Sequence, residues 1–228
     1  RSQIVVDENL ARPTLIGRPG VIAQRVQKFG LRLREGVDYQ VVNVENDHRY
    51  RDFWQTYHQL TERKGVTEQL AKIDMRRRLS LIGTMMLHKG EVDGMICGTW
   101  STPDIHLNYI HQVIGHRPGV STYACMNGLL LPDRQIFLVD THINYDPSAE
   151  QLAEITVMAA EEMMRFGQRP KAALLSHSNF GSSNQPSAVK MREALALIQE
   201  RAPWLEIDGE MHGDTALDAA YRQQLMPR

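Results

Sequence analysis

The feature that most constrains the fold is an alternation of short apolar runs with longer helical patterns along the chain. The short runs are rich in aliphatic and β-branched residues, as expected of buried strands. Strands separated by helices of this length predict an α/β fold with a mostly parallel sheet covered on both faces. The predicted strands are 14–17, 38–44, 94–98, 121–126, 135–140, 171–175 and 205–208, and the predicted helices are 19–29, 47–63, 67–87, 148–166, 185–201 and a last one from 214.

Local signals set several of these boundaries. Ser148 and Gln151 form a capping box, and the helix that they open has an apolar residue at every third or fourth position until Gly167. The turn at 131–133 (LPD) predicts a hairpin between its two flanking strands. Asp214 can cap the last helix.

The composition predicts a globular chain. Its 228 residues are 42% hydrophobic and 23% charged, which is enough apolar material for one large core or two smaller ones. The formal net charge of -1 creates no long-range attraction to nucleic acid or to an anionic membrane. No apolar run approaches the roughly 20 residues that span a bilayer. We therefore expect a cytoplasmic protein that binds neither nucleic acid nor membranes.

Two features concern the organisation of the chain. Arg1 is not an initiator and no charged-then-apolar leader follows it, so we expect a piece of a larger protein. A Gly-His-Arg-Pro-Gly break at 115–119 predicts a boundary between two α/β subdomains, 1–116 and 117–228.

The sulfur-containing residues indicate packing rather than chemistry. Cys97 and Cys125 lie 28 positions apart with no metal-binding spacing, and we expect both to be buried thiols. The methionine pairs 85–86 and 163–164 fall at apolar positions of helical segments, which predicts a core or a subunit contact.

A hydroxyl-rich loop at 175–183 (LSHSNFGSS) is the strongest candidate for a ligand site. It joins a predicted strand to a predicted helix, and so lies at the carboxyl edge of the sheet, where ligands of open α/β folds bind. Its backbone N–H groups and the helix N-terminus would suit a phosphate. It is not a Walker loop, because no Gly-Lys-Ser/Thr ends it. An ordinary connection is the alternative.

A second hydroxyl-rich edge follows the predicted strand 94–98. Ser101 or Thr102 can be the N-cap of a helix with Pro103 in its first turn, whether or not a ligand binds. Two such edges predict a cleft between the subdomains.

The histidine spacing argues against a metal site. His106, His111 and His116 are five residues apart, so on one helix successive side chains point about 140° apart. The arginines at 76–78 fan over about 200° of a helix and predict a solvated face. No Gly-x-Ser-x-Gly sequence places a nucleophile, so no catalytic residue is assigned.

Five blocks resemble phosphate acetyltransferases, in the same order along nearly the whole chain. They are 63–67 (RKGVT), 92–98 (VDGMICG), 144–155, 175–182 and 208–211 (DGEM) followed by Asp214. The resemblance implies two mostly parallel α/β subdomains in a fold related to isocitrate dehydrogenase, incomplete here at both ends, with coenzyme A in the cleft between them. The residues implied to contact acetyl-CoA are Ser176, Ser178, Asn179, Gly181, Ser182, Ser183, Ser101, Thr102 and Lys64.

Two departures from the transacetylase pattern bear on catalysis. The transacetylases carry arginines where this sequence has Thr61 and Leu107. Transfer of an acetyl group between phosphate and a thiol needs guanidinium groups that bind the phosphate and offset its charge. The departures therefore imply a domain without acetyltransferase activity of its own.

The blocks 208–217 (DGEMHGDTAL) and 98–101 (GTWS) resemble the transacetylase-like domain fused behind bacterial NADP-dependent malic enzymes. This implies a parent that decarboxylates malate oxidatively to pyruvate, using NADP and Mg or Mn in an N-terminal part absent here. The chain would sense acetyl-CoA as an effector, form a homo-oligomer and regulate the malic enzyme domains of the same polypeptide. An active phosphate acetyltransferase and an inert oligomerisation module stay open as alternatives.

Overall fold

The structure of the chain, a computed structural model, describes residues 2–98 and 100–226. Arg1, and Thr99 of the 98–101 block, lie outside the described residues, as do 227 and 228. Two compact units divide the chain, Arg1–Gly115 and His116–Arg228. Each unit contains its own cluster of buried apolar residues.

The first unit packs helices around a two-stranded parallel sheet. The strands pair in register from Thr14 with Gln40 to Ile16 with Val42, and a helix opened by Pro19 crosses over between them. The elements are α1 (Ser2–Asp7), β1 (Thr14–Ile16), α2 (Pro19–Lys28), β2 (Gln40–Val42), α3 (Tyr50–Thr61), a 3₁₀ turn (Glu62–Lys64), α4 (Glu68–Arg77), α5 (Leu79–His88) and α6 (Pro103–Val113).

The core of the first unit forms where α3, α5 and α6 meet. Phe53 and Tyr57 from α3 and Met85 from α5 are at most 2% exposed. The Tyr57 hydroxyl donates to Gln112 Oε1 on α6 at 2.6 Å, which satisfies its polar atom inside the core. Met86 is also buried, so the methionine pair at 85–86 is core and not a subunit contact.

The helix predicted from 67 to 87 is two helices in the structure. Thr67 caps the first as predicted, by accepting the Leu70 N–H at 3.2 Å. Arg78 then takes an extended conformation (φ -110°, ψ 93°) and separates α4 from α5. An extended residue changes the direction of the chain, so the two helices need not share one apolar face. Residues 81–86 of α5 are buried all round, whereas α4 buries Ala71 and Met75 on one side.

The strand predicted at 94–98 is wrong. This segment has no strand partner among the described residues, and Ile96 and Cys97 are exposed. Met95 alone packs inward, with its sulfur 3.8 Å from Thr84 Oγ1. An apolar run predicts burial, but only a neighbouring strand with free backbone groups makes it part of a sheet.

The second unit contains a parallel strand pair, an antiparallel hairpin and two long helices packed against each other. The parallel pair runs from Lys171 with Glu206 to Leu174 with Gly209, so the mostly parallel character predicted from the sequence is confirmed for two of the three sheets that the described residues form. The elements are β3 (Met126–Leu130), β4 (Gln135–Val139), α7 (Ala149–Arg165), β5 (Lys171–Leu175), α8 (Pro186–Arg201), β6 (Glu206–Met211), α9 (Gly213–Leu217) and α10 (Ala219–Leu225).

Small residues let α7 and α8 approach closely in the core of the second unit. Ala153, Ala194 and Ile198 are completely buried there. The predicted capping box at the start of α7 is confirmed, since the Ser148 hydroxyl accepts the Gln151 N–H and the Gln151 side chain accepts the Ser148 N–H.

In the second unit, the first strand of the hairpin and the last helix differ from the prediction in where they begin or how they are capped. The hairpin exists, but its first strand begins at Met126 rather than at residue 121. Asp214 lies inside α9, whose N-cap position is His212, and the carboxylate that caps a helix is Asp218, which accepts the Tyr221 N–H at 3.0 Å. The first error concerns where a strand begins, and the second concerns which of two nearby aspartates caps a helix.

The two cysteines differ in exposure. Cys97 is exposed and Cys125 is half-buried, so the prediction that both thiols are buried is wrong for Cys97. Because residues 94–98 form no strand in the described part of the chain, no neighbouring strand covers the Cys97 thiol. Among residues 2–98 and 100–226, no helix is both long and apolar enough to cross a membrane.

Candidate functional site

Residues 176–183, here called the serine loop, follow β5 and pack against the end of β6. Because β5 and β6 are parallel, their carboxyl ends meet at this edge, as the sequence predicted. The Ser176 N–H donates to Met211 O at 2.9 Å, and the Phe180 N–H donates to Glu210 O at 2.8 Å. These two bonds attach both halves of the loop to β6.

A buried carboxylate organises the serine loop. Glu210 is 0% exposed, and its Oε1 accepts the Ser178 hydroxyl at 2.8 Å and the Gly181 N–H at 2.9 Å. Arg192 Nη1 on α8 donates to the same oxygen at 2.9 Å. Burial by itself raises the pKa of Glu210, but these donors outweigh it and hold the pKa below its ordinary value. The carboxylate is therefore ionised at neutral pH.

Arg192 joins the helix, the loop and the strand. Besides Glu210, its Nη1 donates to Ser183 O at 3.1 Å. The side chain is 32% exposed while that of Glu210 is fully enclosed, so the ion pair lies at the inner side of the loop. Removing either partner would leave the other without its counter-charge, which is costly at a buried site.

The backbone amides from 178 to 183 in the serine loop make internal hydrogen bonds. Each N–H from 178 to 183 has an acceptor within the unit, so a phosphate would have to displace existing bonds. The expectation that these amides bind a phosphate stays a prediction, and a phosphate there would compete with these internal bonds. Pro186 also occupies the first position of α8 and has no N–H. In each of these bonds the backbone N–H of the first residue donates to the atom of the second: Ser178 to Ser176 Oγ (3.3 Å), Asn179 to Ser182 Oγ (3.1 Å), Phe180 to Glu210 O (2.8 Å), Gly181 to Glu210 Oε1 (2.9 Å), Ser182 to Asn179 O (3.1 Å) and Ser183 to Ser178 Oγ (3.1 Å).

The side chains of the loop divide into inner and outer ones. Ser178 is completely buried, so it shapes the loop and does not face solvent. Gly181 and Ser182 are exposed, and Ser183 is half-buried with its Oγ 3.2 Å from His177 Nε2. Asn179 is also half-buried, and its Oδ1 accepts the His212 N–H at 2.8 Å. The structure thus brings the predicted loop residues together, with hydroxyls and an amide side chain as the groups that remain near the surface.

The other predicted contact residues belong to the first unit. Thr102 is the N-cap of α6 and Pro103 its first residue, as predicted, although within the described part of the chain the Thr102 side chain makes no capping bond. Ser101 takes a left-handed conformation (φ 73°), which is uncommon for a residue other than glycine. Lys64 is exposed at the end of the 3₁₀ turn.

Thr61 and Leu107 occupy the positions at which the resemblance implies arginines. Thr61 ends α3, is completely buried, and its hydroxyl donates to Tyr57 O at 2.6 Å. Leu107 is half-buried on α6. Neither side chain supplies a cation, and the Thr61 hydroxyl is already used within its own helix.

Sequence reasoning missed Glu210 and Arg192. Glu210 was within a recognised block, and its position at the end of the last strand of a parallel pair was a usable signal. Arg192 gave no such signal in the sequence, because an arginine inside an amphipathic helix is usually a solvated residue. No group of three or more histidine, cysteine or acidic side chains that could hold a metal ion occurs within residues 2–98 and 100–226.

Comparison with known proteins places the chain in a family. A family model described as phosphate acetyl/butaryl transferase matches residues 2–228. The NADP-dependent malic enzyme of Escherichia coli (strain K12) is 51% identical over 226 residues, which are 99% of this chain and 30% of that protein. The phosphate acetyltransferase of Synechocystis sp. (strain PCC 6803) is 36% identical over 224 residues, 98% of this chain and 32% of that protein.

A solved structure supports the same assignment. The phosphotransacetylase from Streptococcus pyogenes superimposes with a TM-score of 0.86 at 26% identity, over 99% of this chain and 68% of that one. The chain spans less than a third of the length of the malic enzyme and about a third of the Synechocystis protein. The matched residues, the identity to curated relatives and the shared α/β fold agree, and the chain belongs to the phosphate acetyl/butaryl transferase family.

Proposed function

We propose that this chain is an acetyl-CoA-sensing regulatory domain of a malic enzyme, without acetyltransferase activity of its own. The observation that carries the proposal is Thr61, a completely buried residue whose hydroxyl is bound to Tyr57 O. A transacetylase needs cations that bind phosphate in the transition state. Thr61 and Leu107 supply none, while the serine loop keeps an ordered structure around Glu210.

In this proposal, side chains of both units contact acetyl-CoA. In the first unit, Lys64 offers a cation, and Ser101 and Thr102 lie exposed at the start of α6. In the second unit, Ser182 and Ser183 offer hydroxyls for the phosphates of acetyl-CoA, with Asn179 and Ser176 beside them. Ser178 contributes by holding the loop, since it is buried against Glu210.

We propose that the chain is part of a larger enzyme, which decarboxylates malate oxidatively to pyruvate with NADP. The greater identity to a malic enzyme than to a phosphate acetyltransferase favours this parent. Its NADP and divalent metal, Mg or Mn, would bind in malic enzyme domains outside this chain. Acetyl-CoA would act by preferring one of two conformations of the whole protein, because a ligand shifts a remote site only through differential affinity.

The first experiment measures acetyl phosphate formation from acetyl-CoA and inorganic phosphate by the full-length protein. We expect no turnover above background. A turnover approaching the ~1 s⁻¹ of ordinary enzymes would instead support the alternative of an active phosphate acetyltransferase.

The second experiment measures malate kinetics of the full-length protein with and without acetyl-CoA. Typical couplings of about 1–3 kcal/mol correspond to a change of roughly 5- to 150-fold in apparent malate affinity. Ser182→Phe places a bulky side chain on the exposed part of the serine loop and should abolish the response. Gln199→Phe, on the exposed side of α8, is the matched control and should keep it. Native protein that neither binds nor responds to acetyl-CoA would favour the inert module.

We further propose that the domain forms a homo-oligomer through the β3–β4 hairpin. The hairpin exposes apolar side chains on both of its faces, including Leu130 at 77% and Leu129 at 42%. A two-stranded hairpin with apolar faces in water is marginally stable, and a second copy would cover them. Leu130→Asp should reduce the mass measured by light scattering to that of a monomer. Leu10→Asp, at another exposed leucine, should not, and a wild-type monomer would refute the proposal.

A further inference from the structure

A thiol and an imidazole lie together at the base of the β3–β4 hairpin. Cys125 immediately precedes β3, and His142 follows β4. The distance from Cys125 Sγ to His142 Nε2 is 3.2 Å, which is within hydrogen-bonding range for sulfur. The cysteine is half-buried and the histidine exposed, so both are accessible from solvent. The pair belongs neither to the serine loop nor to the predicted contacts of the first unit.

Thr141 completes a ring of polar contacts with this pair. Its hydroxyl donates to Cys125 Sγ at 3.4 Å and lies 3.0 Å from His142 Nδ1. While the Thr141 hydroxyl donates to the sulfur it can accept from Nδ1–H, and in that tautomer Nε2 has no proton and faces the thiol. This tautomer of His142 can take the thiol proton, for which Asn127 Oδ1, 3.6 Å from Sγ, is the other acceptor. After the transfer, Nε2–H and the Thr141 hydroxyl both donate to the thiolate.

Asp140 fixes the positions of the two reacting groups. Its Oδ1 accepts the backbone N–H of Cys125 at 3.0 Å and that of Ile143 at 3.2 Å, and its Oδ2 accepts that of Asn144 at 2.8 Å. Burial by itself raises the pKa of Asp140, but these donors outweigh it and lower the pKa, so the carboxylate stays ionised at neutral pH. The backbone of Cys125 and the turn that carries His142 are thus both hydrogen-bonded to Asp140.

We propose that Cys125, with His142 as its base, is a reactive thiol that forms mixed disulfides with small disulfide molecules. His142 accepts the proton of Cys125, and the thiolate attacks one sulfur of the disulfide RSSR. The new bond is Cys125–S–S–R, the bond that breaks is the S–S bond of RSSR, and RS⁻ leaves and takes up the proton. No external oxidant is needed, because the disulfide itself is reduced as the cysteine is oxidised.

Cys97 provides a comparison within the same chain. It is the more exposed of the two thiols, yet desolvation raises its pKa, and no histidine contact to it occurs among the described residues. Exposure alone would make Cys97 the faster thiol. Activation by His142 makes Cys125 faster, because the thiolate is the attacking species.

The test treats the intact protein with 2-hydroxyethyl disulfide, an uncharged probe, and follows both cysteine-containing peptides by mass spectrometry. We expect Cys125 to be modified about 10-fold faster than Cys97 at neutral pH. His142→Asn should lower the rate at Cys125 by about 10-fold, and Thr141→Val by a smaller factor, with the rate at Cys97 unchanged. An unchanged thermal unfolding transition checks that the variants are folded.

His177→Asn is the matched control, since His177 is an exposed histidine that contacts Ser183 and not Cys125. It should leave both rates at the wild-type values. Faster reaction at Cys97 than at Cys125 in the wild type would overturn the proposal. An unchanged rate at Cys125 in His142→Asn would overturn it equally, because the thiol would then be reacting without the imidazole.

Discussion

Arg192 Nη1 lies 2.9 Å from Oε1 of Glu210, a carboxylate with no exposed surface. The pair connects α8 to the end of β6, and the serine loop folds around it through Ser178 and Gly181. The loop that the sequence predicts as a ligand site thus has a buried carboxylate at its centre. Its stability should depend on residues that face no ligand.

Glu210→Gln should destabilise the protein at neutral pH by about 2 kcal/mol, because Arg192 and the loop donors lose a charged acceptor. Since the pKa of Glu210 is lower in the folded than in the unfolded chain, its contribution is complete above the ordinary glutamate range. It is lost as the pH falls from that range through the lowered pKa. Urea unfolding at several pH values should therefore show the wild type and the variant converging in acid.

Glu206→Gln is the control for that measurement, since its carboxylate lies on the same strand and pairs with Lys171 at the surface. It should change unfolding little at neutral pH. Equal effects of the two substitutions would contradict the central role assigned to Glu210.

Ser178→Ala should cost about 1–3 kcal/mol, because it removes a buried hydroxyl that donates to Glu210 and accepts the Ser183 N–H. Ser182→Ala should cost less, since the residue is exposed and water can replace its hydroxyl as the acceptor of the Asn179 N–H. Hydrogen exchange of the loop amides should show the same order. A larger loss of protection in Ser182→Ala would mean that the outer hydroxyl, and not the buried one, holds the loop.

Gly83→Ala should destabilise the first unit by about 1–3 kcal/mol through overpacking. A methyl group there would lie 2.6 Å from Met95 Sδ and 3.3 Å from Ile16 Cδ1. Met95→Ala combined with Gly83→Ala should cost less than the sum of the two single changes, as thermal unfolding of the four proteins can show. Gly94→Ala has open space at its methyl position and serves as the control. Full additivity would show that Met95 does not pack against α5 in solution.

Ser148→Ala should lower the unfolding free energy by about 1 kcal/mol, because the capping box at the start of α7 loses its hydroxyl acceptor. Thr102→Ala is the control at the N-cap of α6, where within the described residues the side chain makes no capping bond. Its effect should be under half as large. Equal melting temperatures for the two variants would argue that the capping bond contributes nothing.

The sequence by itself determined the elements whose signals are local. The capping box at Ser148 and Gln151 and the helix that stops at Gly167 depend on residues within one turn of each other. The five blocks that resemble phosphate acetyltransferases likewise indicate the family from the sequence, and the family match confirms it.

Only the tertiary structure decided which apolar runs became strands and which polar residues became buried. The run 94–98 has strand-like composition but no paired neighbour, so it stays irregular and leaves Cys97 exposed. Ser178 and Ser182 are alike in the sequence, yet one is buried and the other exposed, because Glu210 reaches the loop from a strand 32 residues away. Cys125 meets His142 only because the hairpin brings its two ends together. Contacts between distant segments depend on packing and register, and no local pattern encodes them.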